Sequence, residues 1–248
     1  MSIMKFSIIT PCFNSENTIE RTLKSVLNQT YSMYEYIIVD GGSTDSTLDI
    51  IRSYKDFFGD KLKVISEPDN GIYDAMNKGI SWATGDFVGI VNSDDFYEED
   101  CLTIVSSYIQ KENGKYQILY GGMRCLDKAG VVVSELFYHH NYLSEMMINH
   151  PATFVSKAVY DDFGMYDVRY RSAADYDLFL KLQKYKMIRF VPITKVLTNF
   201  TYGGMSSSLQ GTYETIVVKY KNGIISKKEY IIGECKILIK KVLKHLRD

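Results

Sequence analysis

The stretch Phe87–Asp95, FVGIVNSDD, decides how the chain is read. Phe87–Val91 is an uninterrupted apolar run of strand length, the pattern of a strand covered on both faces. It ends on Asn92-Ser93-Asp94-Asp95, where two adjacent carboxylates repel one another and lose hydration, a cost that some partner must offset. Three earlier runs have the same form: Lys5–Thr10 (KFSIIT), Tyr36–Asp40 (YIIVD) and Leu62–Ser66 (LKVIS). Between them Ile19, Leu23, Val26 and Leu27 recur at helical spacing behind candidate caps at Asn14 or Ser15. Leu48 and Ile51 mark a second helix, and Ile72, Ala75, Met76 and Gly79 a third. This alternation implies right-handed crossovers and an α/β fold, a mostly parallel, doubly wound central sheet flanked by helices.

Ligands of such sheets gather beyond the carboxyl ends of the strands. The loops there are Thr10-Pro11-Cys12-Phe13-Asn14, Asp40-Gly41-Gly42-Ser43-Thr44-Asp45, Glu67-Pro68-Asp69-Asn70-Gly71 and Asn92–Asp95, all polar, small or acidic. Alone, Asp94-Asp95 reads as a helix cap with a solvated neighbour. At a fourth strand end it suits a hard divalent cation, Mn²⁺ or Mg²⁺, which takes oxygen ligands and bridges to phosphate. Asp40 can accept from a nucleobase edge or a ribose hydroxyl, and the glycines after it allow close approach. The same residues also make an ordinary strand-to-helix turn. No lysine follows those glycines as in a P-loop, and no GxGxxG follows the first strand, which weighs against NAD.

The second half is less regular. Gln117–Tyr120 and Gly130–Ser134 read as strands flanking a turn near Asp127-Lys128, a Met-rich helix precedes His150-Pro151, and Asp175–Leu182 has helical spacing. Tyr202–Ser208 (YGGMSSS) has the composition of a lid or of a plain loop, and the chain beyond it reads as helix to its end. A net charge of -1 argues against a general nucleic-acid binder. Cys12, Cys101, Cys125 and Cys235 form no CxxC pair, so the thiols fit a reducing cytosol better than zinc or a disulfide scaffold. With no signal-peptide pattern and no apolar run of ~18–20 residues, the expected location is cytoplasmic. Near the end Ile231, Ile232, Cys235, Leu238, Ile239, Val242, Leu243 and Leu246 fall at helical spacing among Lys236, Lys240, Lys241, Lys244 and Arg247. Such a basic amphipathic helix lies on anionic lipid, as a peripheral membrane contact, or packs on its own domain or on a second subunit of a homo-oligomer.

In order, TPCFN, VDGGSTDST, EPDNGIYDAMNKGI, ATGD, NSDD and AADYDLFLKL resemble the motifs of family-2 glycosyltransferases with the GT-A fold, from Phe6 to Ser208. Bacterial members that build O-antigen, capsule or exopolysaccharide are the most similar. The resemblance implies a GT-A catalytic domain over 1–208, with a nucleotide-binding half (1–95) and an acceptor-binding half (96–208), and a helical segment over 209–248. It implies inverting transfer of a hexose or N-acetylhexosamine from a nucleotide-sugar donor, UDP-linked, to a lipid-linked glycan acceptor at the cytoplasmic membrane face. Thr10 and Pro11 would line the nucleoside pocket, Asp40 would read the base, and Asp69 would lie near base or sugar. Asn77 and Lys78 would order the donor pocket. Asp94 would contact ribose or metal and Asp95 would ligate the metal, with Ser93 where the family's DxD motif has its first acid. Asp175 takes the position of the catalytic base that accepts the acceptor's proton. Ala174 stands where the family often has Glu, so acceptor contacts must come from elsewhere. Asp177 is the rival base, but lies about 200° around the helix axis from Asp175. His150 reads as a phosphate, metal or acceptor contact or as a structural hydrogen-bonder, and Ser206 as a phosphate or acceptor contact. Two other classes stay open: a sugar nucleotidyltransferase, although TPCFNSEN is not its Gly-rich, Arg-containing loop, and an inactive sugar-nucleotide or glycan binding module.

Overall fold

The computed structural model describes residues 4–110, 114–203 and 208–245. The first half alternates β1 (Phe6–Cys12), α1 (Ile19–Leu27), β2 (Tyr34–Asp40), α2 (Thr47–Ser53), α3 (Lys55–Phe58), β3 (Leu62–Ser66), α4 (Ile72–Trp82) and β4 (Phe87–Ile90). Then come β5 (Phe96–Tyr97), α5 (Cys101–Tyr108), β6 (Gln117–Leu126), β7 (Val132–Leu136), β8 (Thr153–Ser156), α6 (Lys157–Phe163), α7 (Ala174–Leu182), β9 (Arg189–Thr201), α8 (Leu209–Lys221) and α9 (Lys227–His245).

The four apolar runs form the parallel half of one sheet, β3-β2-β1-β4, and every residue of β1 and β2 is buried. Beyond β4 the sheet turns mixed. Strand β8 runs antiparallel to β4 and β6, β9 runs parallel to β6, β5 pairs with β9, and β7 extends β6 as a hairpin arm. Side chains alternate between two cores, as strand geometry requires. Ile9, Ile37 and Val39 pack with α4 and α7, while Phe6, Ile8, Tyr36 and Ile38 pack with α1 and α5. Helix α4 approaches β1 so closely that a Cβ on Gly79 would sit 2.5 Å from Ile9 Cγ2.

Two local expectations are corrected. Helix α1 is capped at Thr18, not at Asn14 or Ser15. The Ser15 carbonyl accepts the Thr18 and Ile19 N–H groups, while Asn14 adopts φ 48°, a left-handed turn that asparagine tolerates. The Met-rich segment before His150 holds only a single 3₁₀ turn, His140–Tyr142, and otherwise buries Leu143 and Ile148 as anchors of an irregular loop. Strands β8 and β9 have no counterpart among the strands expected from the sequence. Helix α8 inserts Val218 and Glu214 into the body, and α9 packs on α8 through the stacked rings of Tyr220 and Tyr230, 4.6 Å apart. Among the described residues no helix is long and apolar enough to cross a membrane.

Candidate active site

The loops at the carboxyl ends of β1 to β4 are tied to one another. Ser15 Oγ and Ser93 Oγ lie 2.8 Å apart, joining the first loop to the fourth. Asn14 N–H donates to Ser43 Oγ and its side-chain oxygen accepts from Thr44 N–H, joining first to second. The second meets the third where the Asp69 carboxylate lies against Gly41, leaving no room for a Cβ. Asp69 also accepts Gly71 N–H at 2.8 Å, and Lys78 clasps this third loop through Glu67 (2.9 Å) and the Pro68 carbonyl (3.0 Å). The Arg171 guanidinium donates to the Asn70 carbonyl, which carries the contacts across to the start of α7.

Asp95, beyond the end of β4, is fully buried. Its Oδ1 accepts Thr201 N–H at 3.0 Å and its Oδ2 accepts Asn92 Nδ2 at 3.3 Å. Burial, then the charge of Asp94, push its pKa well up. Burial raises Asp94 as well, with its own main-chain N–H and the Arg21 guanidinium opposing. Among the described residues no side chain donates to the Asp94 carboxylate. Arg21 instead bonds the Asp94 carbonyl and Thr201 Oγ1, both at 2.8 Å, and lies over the Phe96 ring. Asn92 Oδ1 is buried without a hydrogen-bond partner. Two desolvated carboxylates and an orphaned amide oxygen in one loop fit a hard divalent cation. Among the described residues no cluster of three His, Cys, Asp or Glu exists, so phosphate and water would complete the shell, as is usual for Mg²⁺.

Other sequence-selected residues are held by hydrogen bonds of their own or packed into the sheet. Asp40 is buried, and its carboxylate accepts Gly42 N–H, Ser43 N–H and Ser66 Oγ. Thr10 is buried beneath the edge, where its Oγ1 accepts the Tyr36 hydroxyl at 2.9 Å, and Pro11 is buried beside it in β1. Asn77 bonds the main chain of Tyr166 through both side-chain atoms, at 2.8 and 3.1 Å. Ser206 lies outside the described residues.

Asp175 stands in the first turn of α7, where the helix dipole favours a negative charge. Its Oδ1 accepts the hydroxyl of Tyr73, a buried side chain of α4, at 2.8 Å. The Tyr73 ring lies 5.4 Å from that of Tyr166, whose hydroxyl joins His150 Nε2 (2.9 Å) and Tyr160 (3.0 Å). Burial lowers the His150 pKa, with the charge of Asp175 opposing it. His150 therefore belongs to the surroundings of Asp175. Asp177, buried on the other side of the helix, is held by Lys181 and by Asn222 Nδ2.

Sequence reasoning misses Tyr73, Arg21, Asn92, Tyr166 and Thr201. Tyr73 lies inside the EPDNGIYDAMNKGI motif, but nothing local announces its pairing with a residue 102 positions away. Tyr73→Phe is expected to lower kcat roughly tenfold, about 1.4 kcal/mol, with little change in donor KM, because one hydrogen bond to a charged group is lost. Steady-state kinetics would check it.

The comparisons with known proteins point one way. The sequence model of Glycosyl transferase family 2 matches residues 7–131. The PGL/p-HBAD biosynthesis glycosyltransferase of Mycobacterium tuberculosis is 31% identical over 212 residues, covering 84% of this chain and 82% of that protein. Hyaluronan synthase of Pasteurella multocida is 28% identical over 91% of this chain, which spans only 22% of that longer protein. Among solved structures, S. aureus TarS 1-349 in complex with UDP-GlcNAc superposes with TM-score 0.71 at 22% identity, over 95% of this chain and 72% of that one. This chain spans 43% of another, longer TarS structure. The mannosyltransferase PcManGT from Pyrobaculum calidifontis, in complex with GDP-Man and Mn2+, gives 0.68 at 18%, over 94% of this chain and 70% of that one. At such identities the structures speak for the fold, which is the GT-A arrangement. The sequence matches go further: the chain belongs to glycosyl transferase family 2.

Proposed function

We propose that this chain moves a hexose or N-acetylhexosamine from a UDP-linked donor, with inversion, onto a lipid-linked glycan acceptor in the assembly of a surface polysaccharide or glycolipid. The observation that carries the reading is the unbroken line of contacts along one sheet edge, from Asp94-Asp95 through the Asp40 and Asp69 loops to the start of α7 at Asp175. A relative named for PGL/p-HBAD biosynthesis, another named hyaluronan synthase, and structural neighbours holding UDP-GlcNAc or GDP-Man support the substrate class.

The acceptor hydroxyl oxygen attacks the anomeric carbon, and its proton passes to Asp175 Oδ2 while Tyr73 steadies Oδ1. The bond from that carbon to the diphosphate breaks, and the electron pair leaves with the nucleoside diphosphate. One displacement inverts the anomeric centre. Asp95, Asp94 and the Asn92 amide oxygen are assigned to a divalent cation, which when bound neutralises the leaving diphosphate. Asp40 meets the base by exchanging a main-chain N–H partner for a base N–H. Asp69, with the Lys78-clasped loop around it, walls the donor side.

Donor hydrolysis and binding with UDP-, GDP- and dTDP-sugars and Mn²⁺ test the proposal; a folded protein with neither metal-dependent binding nor turnover for any of them sinks it. Asp95→Asn is expected to cut turnover at least roughly a hundredfold, about 2.7 kcal/mol. Its metal-free melting temperature at neutral pH should not fall. The pKa of Asp95 is raised in the fold, so its contribution to stability is lost as pH rises through that value, and a neutral amide avoids the loss. Melting curves with and without Mn²⁺ read out both halves.

A further inference from the structure

Helix α9 carries two apolar faces. At about 100° per residue, Tyr230, Gly233, Glu234 and Ile237 share one side. That side packs on α8: Tyr230 stacks on Tyr220, Gly233 lies against Ile216, the Tyr213 hydroxyl reaches Glu234, and Ile237 is buried. Ile231, Ile232, Leu238 and Ile239 fall on the opposite half and are exposed, Leu238 at 63% and Ile239 at 58%. No described element covers them. Lys227, Lys228 and Lys236 are exposed around this stripe. Residues 227–248 contain seven lysines and arginines against three acids, within a chain of net charge -1.

We infer that α9 docks this chain on an anionic lipid surface, its outer apolar stripe seated among the acyl chains and its lysines among the headgroups. The charge selects this occupant. A second copy meeting the same face would bring two cationic stripes together, which costs energy, whereas anionic headgroups attract them. The stripe's form, alternating isoleucine and leucine with lysine on a helix of low mean hydropathy, is that of an interfacial helix and not of a spanning one. The docking has a consequence for the site. Helix α8, on which α9 rests, sends buried Glu214 to accept the N–H groups of Arg171 and Ser172, just before Asp175. The helix pair held at the lipid is thus the one that holds the base's approach segment, and this part of the inference rests on the lipid-linked acceptor proposed above.

Vesicle sedimentation with the full chain tests it. Vesicles of phosphatidylglycerol in phosphatidylcholine should pull the protein down, phosphatidylcholine alone should not, and added salt should release it. The triple variant Ile232→Glu, Leu238→Glu, Ile239→Glu should bind anionic vesicles at least roughly tenfold more weakly, with an unchanged melting temperature and unchanged donor hydrolysis in solution. Equal sedimentation of the variant, or equal binding to neutral vesicles, overturns the inference. So does a wild-type dimer that the variant converts to monomer while neither binds vesicles, which would assign the stripe to a second copy. Vesicle binding needs no donor, so a protein that binds lipid but turns over no nucleotide-sugar defeats only the transfer reading.

Discussion

Asp175→Asn should lower kcat by roughly 10²–10⁴-fold, about 3–5 kcal/mol, while UDP-sugar binding in the presence of Mn²⁺ stays within about twofold. The size follows from what the substitution removes. An amide at this position can still accept the Tyr73 hydroxyl, so the geometry survives, but it cannot take the acceptor's proton. The loops proposed to hold the donor follow β1 to β4 and do not use the Asp175 side chain, which is why binding should persist. Asp177→Asn is the internal control. That carboxylate is spent on Lys181 and Asn222, so its loss should lower the melting temperature and leave kcat per folded molecule nearly intact. Rapid-quench or coupled nucleotide-release kinetics, beside calorimetric donor titration, separate the two. Equal activity before and after Asp175→Asn would remove it as the base; loss of donor binding with it would mean that the residue shapes the donor pocket instead.

How far the sequence can be read differs between the halves of the chain for a physical reason. The parallel strands β1 to β4 carry near-continuous apolar runs, so their composition alone betrays them, and each begins and ends within two residues of its expected bounds. Strand β9 alternates exposed and buried positions irregularly and carries Pro192 and Lys195; it follows β6 along most of its length with shifts of register, and at Thr198 and Asn199 it is flanked by β5 as well. No local pattern could reveal that. At the site the acidic residues are legible because a carboxylate at a strand end is conspicuous. Their partners are not. Thr201, whose N–H fixes Asp95, is 106 residues away, and Arg21 looks like any exposed basic residue of α1 until its reach to the Asp94 carbonyl is seen. At Asp40 the sequence shows the carboxylate but not its local partners, the N–H groups of Gly42 and Ser43 and the Ser66 hydroxyl, which fix the turn that follows it.

The motif Ala83-Thr84-Gly85-Asp86 reads in the sequence only as a family mark, yet it underlies the largest stability effect expected in this protein. It lies at the opposite end of the sheet from the loops that follow β1 to β4, where buried Glu35 accepts Lys63 Nζ (2.8 Å), Lys5 Nζ (3.0 Å), Ser7 Oγ (2.6 Å), and both Thr84 N–H (2.7 Å) and Thr84 Oγ1 (2.9 Å). Gly85 lets the chain pass against the β1 backbone, where a Cβ would stand 2.7 Å from the Lys5 carbonyl, and Asp86 accepts Lys5 N–H at 2.8 Å. One carboxylate thus fastens β1, β2, β3 and the approach to β4. Burial alone would raise its pKa, but the lysines, Ser7 and Thr84 together outweigh burial and bring it from 4.5 down to about 2. A depressed carboxylate contributes stability that is full above its unfolded pKa and is lost as pH falls through its folded one, here between about 4.5 and about 2. The shift corresponds to about 3 kcal/mol. Glu35→Gln should therefore cost about that much at neutral pH, with both lysines left facing an uncharged group. Urea unfolding from neutral to acid pH should show the wild-type advantage constant above about pH 5 and shrinking below it. Curves that stay parallel into strong acid would mean that Glu35 acts through packing and not through its charge.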